Sequence, residues 1–164
     1  MKEFQIAYLP IGVPTFHLES AEKEMKASSE LLKSLCKNTA APGELLLSLD
    51  KLKGFMEGLD PALVIIQNAT FANAAYTQEI LHRFPGVPVV LWALREPVID
   101  GGRLRLNSLT GAYSAANTIR QFRKEPLEFV FGSPEEDKVK HHLEAAVKAA
   151  QLKYDLNSLK LAAV

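Results

Sequence analysis

Short apolar runs of strand length alternate with longer segments of helical period along this chain, and that alternation restricts the fold more than any other feature. Strands joined through helices run parallel, and a parallel sheet is covered by helices on both faces. Strands are read at residues 5–9, 44–47, 63–67, 88–92 and 128–131. Between the first two, Leu18, Ala21, Met25, Leu32 and Leu35 keep one helical face apolar, while Glu22, Lys23, Lys26 and Lys33 occupy the other. Ser133-Pro134-Glu135-Glu136 is a capping-box signature with proline at the first helical position, so the last long helix should open there and run to about Lys153. The expected fold is a three-layer α/β/α domain with a five-stranded parallel sheet in the flavodoxin-like (Rossmann-like) order 2-1-3-4-5.

The 164 residues suffice for one domain with a small appendage, burying about two thirds of the unfolded surface. Lysine plus arginine number 19 and aspartate plus glutamate 19, so no global field draws the chain to nucleic acid or an anionic membrane. No apolar segment approaches the roughly 20 residues that span a bilayer, and Met1-Lys2-Glu3-Phe4 leads into a strand instead of a signal-peptide core. A cytoplasmic location is the expectation. The single Cys36 has no internal disulfide partner and reads as a packing thiol. Asn68-Ala69-Thr70 matches a glycosylation sequon that is idle without secretion. Beyond the last helix, Leu159-Lys160-Leu161-Ala162-Ala163-Val164 begins another strand-like run, which suggests a first domain over residues 1–155 and the start of a truncated second domain over 156–164.

Motifs for self-contained catalysis are weak. Glu79 and His82 share a helical face, as a carboxylate-bridged metal site requires, yet only one such pair exists, and His82 suits the negative end of its helix. His141 and His142 diverge by about 100° on a helix and cannot share one ion. His17, near the loop after strand one, is a possible ligand contact. Ile11-Gly12-Val13-Pro14-Thr15 lacks the glycines of a dinucleotide cradle, and no Gly-x-Ser-x-Gly elbow is present. A response-regulator role is disfavoured because strand three ends in Gln67-Asn68 rather than aspartate.

Polar and aromatic residues instead gather where α/β sheets bind ligands, at the carboxyl ends of the strands. In the order 2-1-3-4-5 the switch point lies between strands one and three, flanked by loops 12–17 and 67–73. Gln67, Asn68 and Thr70 offer neutral donors and acceptors, and Phe16, Phe71 and Trp92 offer ring faces, a mixture suited to a sugar. The alternative is that Phe71 and Trp92 are core and that Asn68 and Thr70 cap the third helix. After strand four, Asp100-Gly101-Gly102 with Arg103 and Arg105 forms a long polar loop over 95–106, and Asn107-Ser108 reads as the cap of the next helix. Arg103, Arg105 and Asn107 are candidates for a subunit interface, with Arg103 or Arg105 pairing across it or contacting sugar hydroxyls, and the loop is expected to be comparatively mobile in the fragment.

Taken in order, Tyr8-Leu9-Pro10-Ile11-Gly12 with Thr15-Phe16, Val64-Ile65-Ile66-Gln67-Asn68-Ala69-Thr70-Phe71, Leu91-Trp92-Ala93-Leu94 and the segment Gly101-Gly102-Arg103-Leu104-Arg105-Leu106-Asn107-Ser108-Leu109-Thr110-Gly111-Ala112 resemble the N-terminal domain of the L-fucose isomerase and L-arabinose isomerase superfamily. Thr70-Phe71 resembles the His-Thr-Phe segment of arabinose isomerases, with Ala69 in place of the histidine. The resemblance implies a substrate-covering, assembly-forming domain of an oligomeric aldose–ketose isomerase, sharing its monosaccharide with a neighbouring subunit. It also implies a divalent metal, commonly Mn²⁺, held by later domains, with no cofactor in this chain and no catalytic residue of its own. The rival expectation is a self-contained flavodoxin-like binding or regulatory module.

Overall fold

The computed structural model describes residues 3–159. The elements follow in the order β1 (Ile6–Ile11), α1 (Leu18–Leu35), β2 (Thr39–Ala40), α2 (Leu49–Met56), β3 (Leu63–Asn68), α3 (Ala74–Arg83), β4 (Val89–Ala93), α4 (Ser108–Phe122), β5 (Glu128–Phe131) and α5 (Asp137–Ser158). The strands form one parallel sheet ordered β2-β1-β3-β4-β5, as the alternation of apolar runs predicts.

Because the sheet is covered on both sides, the central strands are apolar on both faces. Ile6, Tyr8, Leu63, Ile65, Val90 and Trp92 pack against α1 and α5 through Ala21, Met25, Leu32, Val139 and Leu143. Leu9, Ile11, Val64, Ile66 and Leu91 pack on the other side against α2, α3 and α4 through Leu52, Met56, Ile80, Ala115 and Ile119. Burial of these side chains supplies most of the driving force, at about 1.5–3 kcal/mol for each large aliphatic residue. Cys36 caps the end of α1 and packs half-buried at the margin of the first cluster.

Two expectations shift. The second strand is the pair Thr39–Ala40, and residues 44–47 do not form one; only Leu46 rejoins the sheet, bridging Ile11. Pro42-Gly43 interrupts the pairing, because proline offers no N–H to a ladder. The last helix begins at Asp137, after a turn in which Glu136 N donates to Ser133 O at 3.1 Å, and it continues to Ser158. Half of the capping box survives, since Ser133 N donates to the Glu136 carboxylate at 2.8 Å. The proposed boundary at 155/156 falls inside this helix. Of the strand-like run at 159–164, all but Leu159 lies outside the described residues. No helix among the described residues is long and apolar enough to cross a membrane.

Candidate functional site at the carboxyl edge of the sheet

β1 and β3 are neighbours whose following helices pack on opposite faces, so the loops leaving them part and open a crevice between them. The two loops meet at its floor. Val13 N donates to Thr70 Oγ1 at 2.9 Å, and the Thr70 hydroxyl lies 3.2 Å from Val13 O, so a fully buried threonine ties one loop to the other. Gly12 permits that approach: a Cβ there would lie 3.2 Å from Thr70 N and closer still to its hydroxyl. Above this tie the rings of Phe16 and Phe71 face each other at 6.4 Å, tilted by 45°.

The third component is loop 95–106, and a carboxylate anchors it. Glu96 accepts from three successive backbone N–H groups, Arg105 at 2.8 Å, Leu106 at 2.9 Å and Asn107 at 2.6 Å. Bonds of this charge-assisted type are the strong ones, so the loop base is fixed where it re-enters the fold. Two backbone bonds then carry the loop over the crevice, His17 N to Arg105 O and Phe71 N to Leu106 O, both at 2.9 Å. Arg95 fastens the outgoing limb through Glu136 at 2.8 Å while lying over the Phe131 ring. That pairing holds the Glu136 carboxyl at about 2, with the Ser133 N–H as a second cause. The expectation of a mobile loop therefore needs division: its base is anchored, whereas its tip around Asp100-Gly101-Gly102 is exposed, held by a bond from Gly102 N to the Asp100 carboxylate.

The loops after β1 and β4 enclose an open cleft of ≈ 420 Å³ lined by Thr15, Phe16, His17, Asp100, Gly102, Arg103, Leu104 and Arg105, and the β3–α3 loop, Phe71 included, lies outside that lining. The Arg103 guanidinium lies 5.0 Å from the centroid of the Phe16 ring. His17 caps α1, its Nδ1 accepting from Ser20 N, which leaves the proton of a neutral ring on Nε2. A separate cleft of ≈ 330 Å³ lies at the amino edge of the sheet, lined by Asp60, Pro61, Gly86, Pro88, Lys153 and Tyr154 among others.

The residues singled out in the sequence separate by depth. Phe16 and Phe71 are partly exposed above the floor. Gln67 is fully buried and spent inside the fold: its carbonyl accepts from the Tyr8 hydroxyl and its amide donates to Ser28 Oγ at 2.8 Å. Burial raises the Tyr8 phenol far above its ordinary range, so it remains a neutral donor. Trp92 is fully buried and donates from Nε1 to Gly132 O at 2.9 Å. In this conformation neither Gln67 nor Trp92 offers a surface to the cleft.

Asn68 lies beneath the loop, its side-chain oxygen and nitrogen both buried without a hydrogen-bond partner, while its backbone oxygen accepts from Ser108 Oγ. The cap of α3 falls to Asn73, which accepts from Ala75 N at 3.0 Å, and not to Asn68 or Thr70. Asn107 opens α4 in the left-handed region at φ 51° and caps nothing with its side chain, accepting only from Thr110 Oγ1 at 2.7 Å. Of the histidines away from the cleft, His82 stacks edge-on against Phe122 in the last turn of α3, and His142 pairs with Glu128.

Sequence reasoning missed the Glu96 anchor and the close approaches at Gly12 and Gly111. A Cβ on Gly111 would lie 2.7 Å from Asn68 Nδ2 and 3.0 Å from Ala72 N. The signal for Gly111 was a glycine inside a helical pattern, which usually marks close packing. Glu96 left none, because a carboxylate that binds backbone looks like any surface acid until the loop is folded.

The fold and cleft define a parallel α/β domain with a ligand-sized opening at the carboxyl edge, polar and cationic on one wall and aromatic on another. No family model matches the chain. It is 55% identical over 164 residues to the sulfoquinovose isomerase of Clostridium sp. (strain MSTE9), covering 100% of this chain and 36% of that protein. The sulfoquinovose isomerase of Priestia megaterium (strain ATCC 12872 / QMB1551) is 37% identical over 167 residues, 100% of this chain and 37% of that protein. The sulfoquinovose isomerase of Alkalicoccus urumqiensis is 32% identical over 161 residues, 97% of this chain and 35% of that protein. The chain thus spans little more than a third of the length of the curated relatives it matches, each named a sulfoquinovose isomerase.

Proposed function

We propose that this chain is the N-terminal, substrate-covering and subunit-assembling part of an aldose–ketose isomerase acting on sulfoquinovose. The observation that carries the reading is similarity along the whole chain, at 55% and 37% identity, to proteins of that activity. The finer kinship, with the L-fucose and L-arabinose isomerase superfamily, belongs to the same proposal and is supported by the loop motifs Ala69-Thr70-Phe71 and Leu106-Asn107-Ser108.

Aldose–ketose isomerisation moves a hydrogen between C1 and C2 and needs a base together with an electrophile for the carbonyl and hydroxyl oxygens. The described residues gather no group of three or more His, Cys, Asp or Glu that could hold a metal. Mn²⁺ therefore does not fit the residues described for this chain, and no proton transfer is assigned to them; the ion and the base belong to the rest of the polypeptide. The part left to this chain is binding and cover. Phe16 offers a ring face to the C–H side of a sugar, with the Phe71 ring packed beside it, and loop 95–106 forms the other wall of the cleft.

In a homo-oligomer the neighbouring subunit would close that wall. Val98, Ile99 and Leu104 stand exposed on the loop, Ile99 at 82%, and suit an apolar contact better than water. Asn107, half-buried under the loop, would hold that contact in place, while Arg103 and Arg105 line the cleft. The test is conversion of sulfoquinovose to its ketose by the complete polypeptide with Mn²⁺, alongside residues 1–164 alone. Turnover by the complete protein with none by the 164-residue chain is the expected pair of results. Absence of turnover by the complete protein, or chelator-sensitive turnover by the 164-residue chain, would overturn the reading.

A further inference from the structure

Two arginines line the cleft without a counter-ion among the described residues. Arg103 and Arg105 both line it, and neither forms an ion pair among the described residues. The nearby acids are committed otherwise: Glu96 accepts from three backbone N–H groups, and Glu136 pairs with Arg95. Asp100 also lines the cleft, with one oxygen taken by Gly102 N at 2.9 Å. The balance of formal charge on the lining is therefore positive, two arginines against one aspartate. The Phe16 ring covers one face of the Arg103 guanidinium and leaves its planar N–H edge free for a ligand.

Planar guanidinium forks match tetrahedral oxyanions, to which they donate two parallel hydrogen bonds. Sulfoquinovose carries such a group, a sulfonate on C6, at the end of the molecule away from the C1–C2 chemistry. We propose that Arg103 and Arg105 form the sulfonate subsite, holding the C6 end of the sugar while C1 and C2 reach the catalytic part of the protein. The inference rests on the sulfoquinovose reading above and deepens it by assigning the substrate's charge to two side chains of this chain. Anchoring at a non-reacting end orients the reacting one, which is how remote binding energy serves a reaction. The neutral donors expected from sequence at Gln67 and Asn68 are buried, so discrimination rests on charge at the rim.

The experiment compares kcat/KM of the complete protein for sulfoquinovose and for quinovose, the same sugar without the sulfonate. In the Arg103→Gln/Arg105→Gln variant the ratio of the two should fall about 100-fold, roughly tenfold for each guanidinium, chiefly through KM for sulfoquinovose. The Arg120→Gln change, on the exposed side of α4, is the charge control and should leave the ratio in place. If the double variant does not fold, Arg103→Lys and Arg105→Lys keep the charge but lose the fork, and each should lower the ratio severalfold. A ratio within threefold of wild type in a folded variant overturns the subsite and leaves the isomerase reading standing; no turnover of sulfoquinovose by wild type overturns that reading instead. A phosphate ester at C6 presents similar oxygens with a second charge, so preferential turnover of glucose 6-phosphate over sulfoquinovose overturns the sulfonate assignment.

Discussion

The loop that walls the cleft and the loop beside it are built in opposite ways. The short connection from β3 to α3 is a floor: Ala69, Thr70 and Ala72 are buried, Thr70 is bonded to the β1 loop, and Gly12 and Gly111 let backbone approach it from two sides. The connection from β4 to α4 is a wall: longer and polar, it is fixed by a carboxylate at its base and carries Arg103 and Ile99 exposed. Packing fixes the floor and charge-assisted bonds fix the wall. A binding site needs one surface that does not move and one that can be tuned or covered, and here different physics serves each.

The comparison breaks most readily at the floor. Gly111→Ala drives a methyl against the end of the buried Asn68 side chain and against the backbone of residues 71 and 72, which cannot swing aside. Overpacking of this kind costs about 1–3 kcal/mol, so the denaturant midpoint should fall clearly. A midpoint unchanged by Gly111→Ala would mean that the floor yields easily.

At the wall the effect should be smaller and local. Glu96→Ala removes the acceptor for three N–H groups, which then turn to water; with charged acceptors worth about 1.5–3 kcal/mol when buried and less at a partly exposed site, roughly 1 kcal/mol is expected. Hydrogen exchange at residues 105–107 should quicken while exchange in β3 and β4 stays as it was. Equal acceleration in both would deny that the loop base is an independent unit.

The smallest effect belongs to the pair at the outer limb of the wall. Glu136 titrates at about 2 in the folded chain, below its ordinary value of 4.5, so the Arg95 bond contributes stability above about pH 4.5 and loses it as pH falls through about 2. Glu136→Gln should flatten that part of the stability profile. Because the pair stands largely in water, the slope is shallow, and added salt should reduce it further.

Much of this fold is legible in the sequence because parallel strands buried on both faces write themselves as uninterrupted apolar runs, as in Leu63-Val64-Ile65-Ile66. The edge strand escaped for the same reason: Thr39-Ala40 carries no apolar run, while Leu45-Leu46-Leu47 has one and serves packing more than pairing. The positions of the candidate site residues were legible from topology, since loops on either side of a switch point must meet. Their depth was not. Gln67 and Trp92 stand at the ends of strands where a side chain can point into a core layer or out past it, and only the partners Tyr8, Ser28 and Gly132, distant in sequence, decide which.

On this reading a ligand sits in the cleft between the β1 loop and loop 95–106. Amide hydrogen exchange on the complete protein, with and without saturating sulfoquinovose, tests it most directly. Slower exchange confined to residues 12–17 and 98–104 is the predicted result. Unchanged exchange there, with protection appearing instead at residues 60–62 and 85–88 beside the amino-edge cleft, would contradict it.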